Sequence, residues 1–234
     1  MTPLGTALVT GGGTGIGRAI AQELAMRGHH VIVTGRRRGP LEEAVASITA
    51  SGGTAEAARL DVTEEDSTDA LVARVGSDRL DVVVANAGVF VKGNVAELAL
   101  TDWRQQMDVN LTGVFLTLRT AVRIMRDQDE IGGSRGHLFA INSGAGVAGF
   151  PTGAAYAAAK HGVRGLTASL RAETALLGIR MTDVVVAATV DSEMSARRDV
   201  SKIPALSVGH AVVSCLSLPV GTTWDRIDIG QMHS

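Results

Sequence analysis

With 234 residues, 45% of them hydrophobic and 20% charged, the chain has the size and composition of one globular domain with a substantial core. A formal charge of −2, with no basic run beyond Arg36-Arg37-Arg38, speaks against nucleic acid or an anionic membrane as partner. The lone Cys215 excludes an intrachain disulfide and a thiolate-built metal site, no apolar stretch spans a bilayer, and Met1–Thr6 lacks a signal peptide's basic flank, so a cytoplasmic protein without a metal is expected.

A first strand is expected at Ala7–Val9, followed by a Gly-rich turn and a helix from about Ile16, with Ile16, Ile20 and Leu24 at helical spacing and Gly28 as its stop. After a second strand at Val31–Thr34, Pro40 opens a helix that Ser51-Gly52-Gly53 ends. The third strand is Ala55–Leu60, and Thr63 with Asp66 resembles a capping pair heading the next helix. Strand four at Val82–Ala85 leads to one long helix from Asp102 to about Met125 and a polar surface loop, Asp127–Gly136. Strand five at Leu138–Asn142 precedes a helix from about Ala155 to Leu177, and strands at Met181–Val186 and Arg226–Ile229 complete the set. Strands alternating with helices predict an α/β fold: a doubly wound, Rossmann-type parallel sheet of about seven strands with helices on both faces, in one domain over residues 1–234.

The turn Thr10-Gly-Gly-Gly-Thr-Gly-Ile-Gly17 fits T-G-x-x-x-G-x-G through Thr10, Gly11, Gly15 and Gly17, and no register fits G-x-G-x-x-G. Either spacing lets backbone approach a pyrophosphate at a helix N-terminus. Near the end of the second strand, where an NAD site places an acid for the ribose hydroxyls, the chain has Thr34-Gly35-Arg36-Arg37-Arg38 and no acid. Guanidinium forks at Arg36 and Arg37 suit a 2′-phosphate, so NADP(H) is favoured over NAD(H); Arg38 is read as solvated.

Ser143, Tyr156 and Lys160 form a hydroxyl–phenol–amine series able to protonate a carbonyl oxygen while a hydride arrives from a nicotinamide. Tyr156 and Lys160, four apart, share one helix face. A phenol titrates near pH ~10, and lowering that by about 3 units takes roughly 4 kcal/mol, which a neighbouring ammonium helps to supply.

These motifs in this order resemble the short-chain dehydrogenase/reductase family over nearly the whole length. Asp61-Val62 matches the pair against the adenine, Asn86-Ala87-Gly88 the motif after strand four, Asn110 the active-site asparagine, and Ser143 with Tyr156-Ala-Ala-Ala-Lys160 the catalytic signature. The resemblance implies Tyr156 as general acid/base, Ser143 as donor to the substrate oxygen, and Lys160 as both modulator of Tyr156 and holder of the nicotinamide ribose. Asn110 would position a water in a proton relay. The implied cofactor site comprises Gly11, Gly13, Thr14, Gly15, Ile16, Gly17, Arg36, Arg37, Asp61, Val62, Asn86, Ala87, Gly88, Val190 and Ser192 with Tyr156 and Lys160. The chain departs from the family where Ala187-Ala188 replaces Pro-Gly, which predicts a different backbone path beside the carboxamide, and where Thr14 stands in place of a basic residue.

The expected activity is reversible reduction of a ketone or aldehyde; an NAD-dependent alcohol dehydrogenase and a catalytically silent nucleotide-sensing protein are the alternatives. The substrate pocket is expected among Ala145, Val147, Phe150, Tyr156 and Ala188, under a short lid Glu193–Leu206 bearing Arg197, Arg198 and Lys202, and to take an uncharged carbonyl compound. Leu111, Val114, Phe115 and Leu118 in one long helix and Ala157, Ala158, Leu166 and Leu170 in the other cover more than one face. The family forms dimers or tetramers through these helices, so a homodimer or homotetramer is expected.

Overall fold

The structure is a computed structural model that describes residues 4–75, 79–196, 199–219 and 221–232. Seven strands form one sheet in the order β3-β2-β1-β4-β5-β6-β7, every neighbouring pair parallel. They are β1 (Thr6–Thr10), β2 (His30–Gly35), β3 (Thr54–Arg59), β4 (Leu80–Ala85), β5 (Gly136–Ser143), β6 (Ile179–Val186) and β7 (Arg226–Ile229). The helices are α1 (Gly15–Met26), α2 (Arg38–Ala50), α3 (Glu65–Val75), α4 (Leu100–Met107), α5 (Gly113–Met125), α6 (Ala154–Ala175) and α7 (Ala205–Leu216).

Alternate residues of each central strand enter opposite cores, as the two-residue pleat requires. Ala7 and Val9 of β1, Val82 and Val84 of β4, and Phe139 and Ile141 of β5 pack with Ile20, Leu24, Ile48 and Val212 from α1, α2 and α7. Their neighbours Leu8, Val83, Leu138 and Ala140 pack with Val114, Leu118, Met125 and Val163 from α5 and α6. The strands are therefore apolar on both faces, and the doubly wound sheet expected from the sequence is the one observed. The winding reverses between β1 and β4, which opens a crevice at their C-terminal ends, the place where such sheets bind ligands.

Four local expectations are corrected. The helix expected from Asp102 to Met125 is α4 and α5 joined by a π turn, Asp108–Thr112, whose side chain Asn110 is tied to the loop after β4. The apolar spacing is unaffected by that extra residue, so the pattern does not reveal it. Pro40 is the third residue of α2, still within the first turn where backbone N–H groups lack helical partners. Thr63 does not cap α3: its N–H and hydroxyl both donate to Asp61 Oδ1, at 3.0 and 2.8 Å. Leu206 belongs to α7, which begins at Ala205, so the lid ends earlier than expected. Arg197 and Arg198 lie outside the described residues. Among the described residues no helix is long and apolar enough to cross a membrane, and no cluster of ligating side chains is placed to hold a metal ion.

Candidate active site

The ends of β1 and β4 are stitched together by side chains. Thr10 Oγ1 accepts the N–H groups of Asn86 and Ala87 at 3.0 and 3.1 Å, while Asn86 Nδ2 donates to the carbonyls of Thr10 (2.9 Å) and Gly11 (3.3 Å). The turn between β1 and α1 is compressed onto this knot. A Cβ on Gly17 would stand 2.2 Å from Gly11 O and 2.5 Å from Asn86 Nδ2, and Gly11 and Gly15 adopt φ of 65° and 52°. These are backbone constraints that only glycine meets, and they leave the N-terminus of α1 open to an anion.

Beside the turn lies a cleft of about 190 Å³, lined by Gly11, Gly13, Thr14, Arg36, Arg37, Asp61, Val62, Ala87 and Gly88 together with Thr34, Gly35, Pro40, Leu41, Leu60, Val89 and Val109. A nucleoside fits this lining: apolar walls from Leu41, Leu60 and Val62, and two guanidinium groups at the end of β2. Burial pushes the Asp61 carboxyl up, but the Thr63 N–H and hydroxyl, with Arg36 and Arg59 nearby, outweigh it and hold the carboxyl below its usual value.

At the other end, β5 and α6 carry the reactive groups. Ser143 ends β5, and its Oγ accepts the Ala145 N–H at 3.1 Å, so the hydroxyl proton remains available to donate. The short 3-10 turn after it, Gly144–Gly146, lies hard against α6: a Cβ on Gly146 would be 2.8 Å from Lys160 O and 2.7 Å from Asn142 Oδ1. The π turn presses on the same helix, because a Cβ on Gly162 would be 2.8 Å from Leu111 Cδ2. Ser143, Asn110 and the Tyr156–Lys160 face are thus gathered around one stretch of α6.

Lys160 is buried, and its Nζ donates to Ile141 O at 2.7 Å while lying 5.8 Å from the centre of the Tyr156 ring. Burial lowers its pKa to about 8, against the opposing pull of Asp183. Asp183, 2% exposed in the middle of β6, has its own pKa raised by burial; Asn142, which donates to it at 3.3 Å, and the charges of Arg226, Lys160 and Arg171 oppose that rise. A buried ammonium next to a phenol, with a buried carboxylate behind it, is the arrangement that shifts proton affinities at a reaction centre.

Phe90 lies against Tyr156 and links it to Phe150. The Phe90 ring meets Tyr156 edge-on, with centroids 5.4 Å apart at 72°, and Phe150 lies 5.9 Å from Phe90. The two loops that carry the phenylalanines are joined by Gly93 N–H donating to Thr152 O at 3.1 Å, and Thr152 is held at φ 66°. Non-glycine residues in that region store strain, and such strain clusters at functional sites. Val147 and Phe150 leave apolar surface exposed in the second of these segments, and Met194 does so in the turn Glu193–Ser195.

The short chain dehydrogenase family model matches residues 5–202. The chain belongs to the short-chain dehydrogenase family. It is 37% identical over 193 residues to a 3beta-hydroxysteroid dehydrogenase of Mediterraneibacter gnavus, covering 81% of this chain and 67% of that one. It is 35% identical over 210 residues to a 3-oxoacyl-[acyl-carrier-protein] reductase of Synechocystis sp., covering 87% and 83%. Actinorhodin polyketide ketoreductase, solved with NADPH, superposes with a TM-score of 0.86 at 29% identity, covering 96% of this chain and 95% of that one. A metagenomic short-chain oxidoreductase in complex with NADP gives a TM-score of 0.83 at 29% identity, covering 96% of each chain. The protein is accordingly an oxidoreductase of the dehydrogenase/reductase type, acting between hydroxyl and carbonyl groups with a nicotinamide cofactor.

Within this short-chain dehydrogenase, several residues singled out in the sequence also make contacts within the protein itself. Asn86 is not in the cleft lining; its amide holds β1 to β4. Asn110 is buried and ties its side chain at both ends to Val89, accepting the N–H at 2.9 Å and donating to the carbonyl at 2.8 Å. The Ser192 hydroxyl turns inward, 3.4 Å from both Val190 O and Ser195 Oγ, in a capping arrangement over Glu193–Ser195. Gly15, Ile16, Gly17 and Val190 also lie outside the cleft lining; Gly17 and Val190 are buried, and Ile16 packs against the core. The replacement of Pro-Gly has a concrete consequence: Ala187 N–H donates to Ile229 O at 2.8 Å, a bond that proline lacks the hydrogen to make, so pairing with β7 continues past the end of β6. Phe90, Val89, Val109 and Asp183 went unremarked in the sequence, although an aspartate inside the apolar run of β6 was a visible signal.

Proposed function

We propose that this short-chain dehydrogenase is an NADP(H)-dependent reductase of ketones or aldehydes, reversible as a secondary alcohol dehydrogenase. One domain over residues 1–234 carries both cofactor binding and catalysis. The observation that carries the reading is the buried Lys160 ammonium 5.8 Å from the Tyr156 ring, on a helix face met by the Ser143 turn.

The glycine turn and the N-terminus of α1 would hold the pyrophosphate, Asp61, Val62, Ala87 and Gly88 the adenosine, and Val190 with Ser192 the carboxamide side. When bound, the nicotinamide supplies or accepts the hydride. Ser143 donates a hydrogen bond to the substrate oxygen and stabilises charge developing there. Tyr156 gives that oxygen its proton, or takes one in the oxidative direction. Lys160 faces Tyr156 as a buried cation that favours the phenolate, and its remaining N–H groups would hold the ribose hydroxyls. Asn110, its side chain pinned to Val89, would reach a relay water through its main-chain carbonyl, where a π turn loosens the regular helical bonding.

Arg36 and Arg37 in the cleft, with no acid at the end of β2, support NADP(H) over NAD(H). Phe90 against Tyr156 with Phe150 beyond it, and the exposed apolar side chains of Val147 and Met194, support an uncharged, apolar carbonyl compound of modest size. The exposed Phe115 of α5 supports a homodimer or homotetramer built on α4, α5 and α6. The test is a panel of cyclic, aromatic and charged ketones and aldehydes followed by loss of NADPH or NADH. Turnover of apolar ketones with NADPH is expected. Turnover with NADH alone would replace the cofactor assignment, and a protein that binds NADPH tightly but turns over nothing in the panel would be a nucleotide-sensing one.

A further inference from the structure

Arg37 and Glu193 are 156 positions apart, on opposite lips of the cofactor crevice, and their side chains meet at 2.8 Å, Nη2 to Oε2. Arg37 is the N-cap residue of α2 and lines the nucleoside cleft. Glu193 opens the short 3-10 turn after Ser192, and that segment rests on the glycine turn: a Cβ on Gly15 would be 3.1 Å from Ser192 Cβ. The other arginines of the run have different neighbours. Arg38 pairs with Glu42 one helical turn on, and Arg36 has Asp61 as its electrostatic neighbour. One guanidinium of the two at the end of β2 is therefore already held by a carboxylate from the far lip.

We propose that Glu193 is a determinant of cofactor specificity: it pairs with the Arg37 Nη2 that a 2′-phosphate would otherwise engage, and so weakens the preference for NADP(H). This rests on the NADP(H) reading above. A phosphate binds a guanidinium fork more strongly than one carboxylate does, because it carries more charge and more acceptor oxygens, so it displaces Glu193. NAD(H) has nothing to offer Arg37 and leaves the ion pair in place. Both side chains are more than 60% exposed, so the pair is weak and the competition modest.

The experiment titrates NADP+ and NAD+ separately against wild type, Glu193→Gln, Arg37→Gln and the double variant, reading the dissociation constant by calorimetry. Glu193→Gln is expected to tighten NADP+ by about two- to five-fold, the size of an exposed ion pair, with NAD+ unchanged. In the Arg37→Gln background the same change is expected to give no gain, and added salt to shrink the gain in the single variant. Unchanged or weaker NADP+ binding by Glu193→Gln, or equal tightening of both cofactors, would overturn the proposal. Failure of the NADP(H) reading itself shows separately, as Arg36→Gln and Arg37→Gln variants that bind NADP+ no worse than wild type.

Discussion

Lys160→Met is expected to abolish turnover and at the same time to stabilise the fold. Burial lowers the Lys160 pKa from 10.5 to about 8, which corresponds to about 3 kcal/mol of cost to the folded state whenever the amine is protonated. Between those two values the unfolded chain binds the proton and the folded one releases it. Stability attributable to Lys160 therefore rises as pH climbs from 8 to 10.5, and the full cost is present at pH 7. Methionine matches the volume without the charge. Against the gain stand the lost hydrogen bond to Ile141 O, about 1 kcal/mol, and the removal of a cation that partly offsets the buried Asp183. A net stabilisation of about 1–2 kcal/mol at pH 7 remains. Urea unfolding of both proteins at pH 7 and pH 10 measures it, and the difference between them cancels groups that titrate in common, such as Cys215, whose thiol burial pushes up to about 11. A variant less stable than wild type at pH 7, or a variant-minus-wild-type difference that does not fall between pH 7 and pH 10, would refute the reasoning.

Gly17→Ala is expected to lower the melting temperature and to weaken cofactor binding at least tenfold, since the new methyl would meet backbone 2.2 Å away and overpacking of that kind costs about 1–3 kcal/mol; thermal melts and cofactor titration check both. His137 is buried against Phe139 with its Nε2 2.8 Å from Thr182 Oγ1, and burial lowers its pKa well below 6.5. Its contribution is fully present above pH 6.5 and lost as pH falls toward the folded pKa, so His137→Phe should flatten the acid decline in stability measured by urea unfolding from pH 7 to 5. Phe115→Glu on the outer face of α5 should shift the light-scattering mass to a smaller species, and a wild type that is already monomeric would refute the proposed assembly.

All seven strands stood within two residues of where the sequence placed them, because strands buried on both faces read as short apolar runs between turn residues, and β1, β4 and β5 are of that kind. The glycine turn was equally legible, since its spacing reflects backbone contacts such as Gly17 against Gly11 O. What escaped were features created by contacts across the fold. The π turn leaves the hydrophobic period intact and shows itself only through Asn110 binding Val89. Thr63 had the spacing of a cap, yet Asp61, two residues back, is the nearer acceptor. Phe90 acquires its place beside Tyr156 from the joining of two loops at Gly93 and Thr152, and Arg37 was read as facing the cofactor alone because Glu193 is 156 positions away.

The central claim is that Tyr156 transfers the proton in a hydride-transfer reaction, and Tyr156→Phe against a responsive ketone tests it most directly. The account predicts a fall in kcat of about 10²–10⁴, the usual contribution of a general acid, with the NADPH dissociation constant unchanged within about two-fold. Turnover by the phenylalanine variant at the wild-type rate would contradict it.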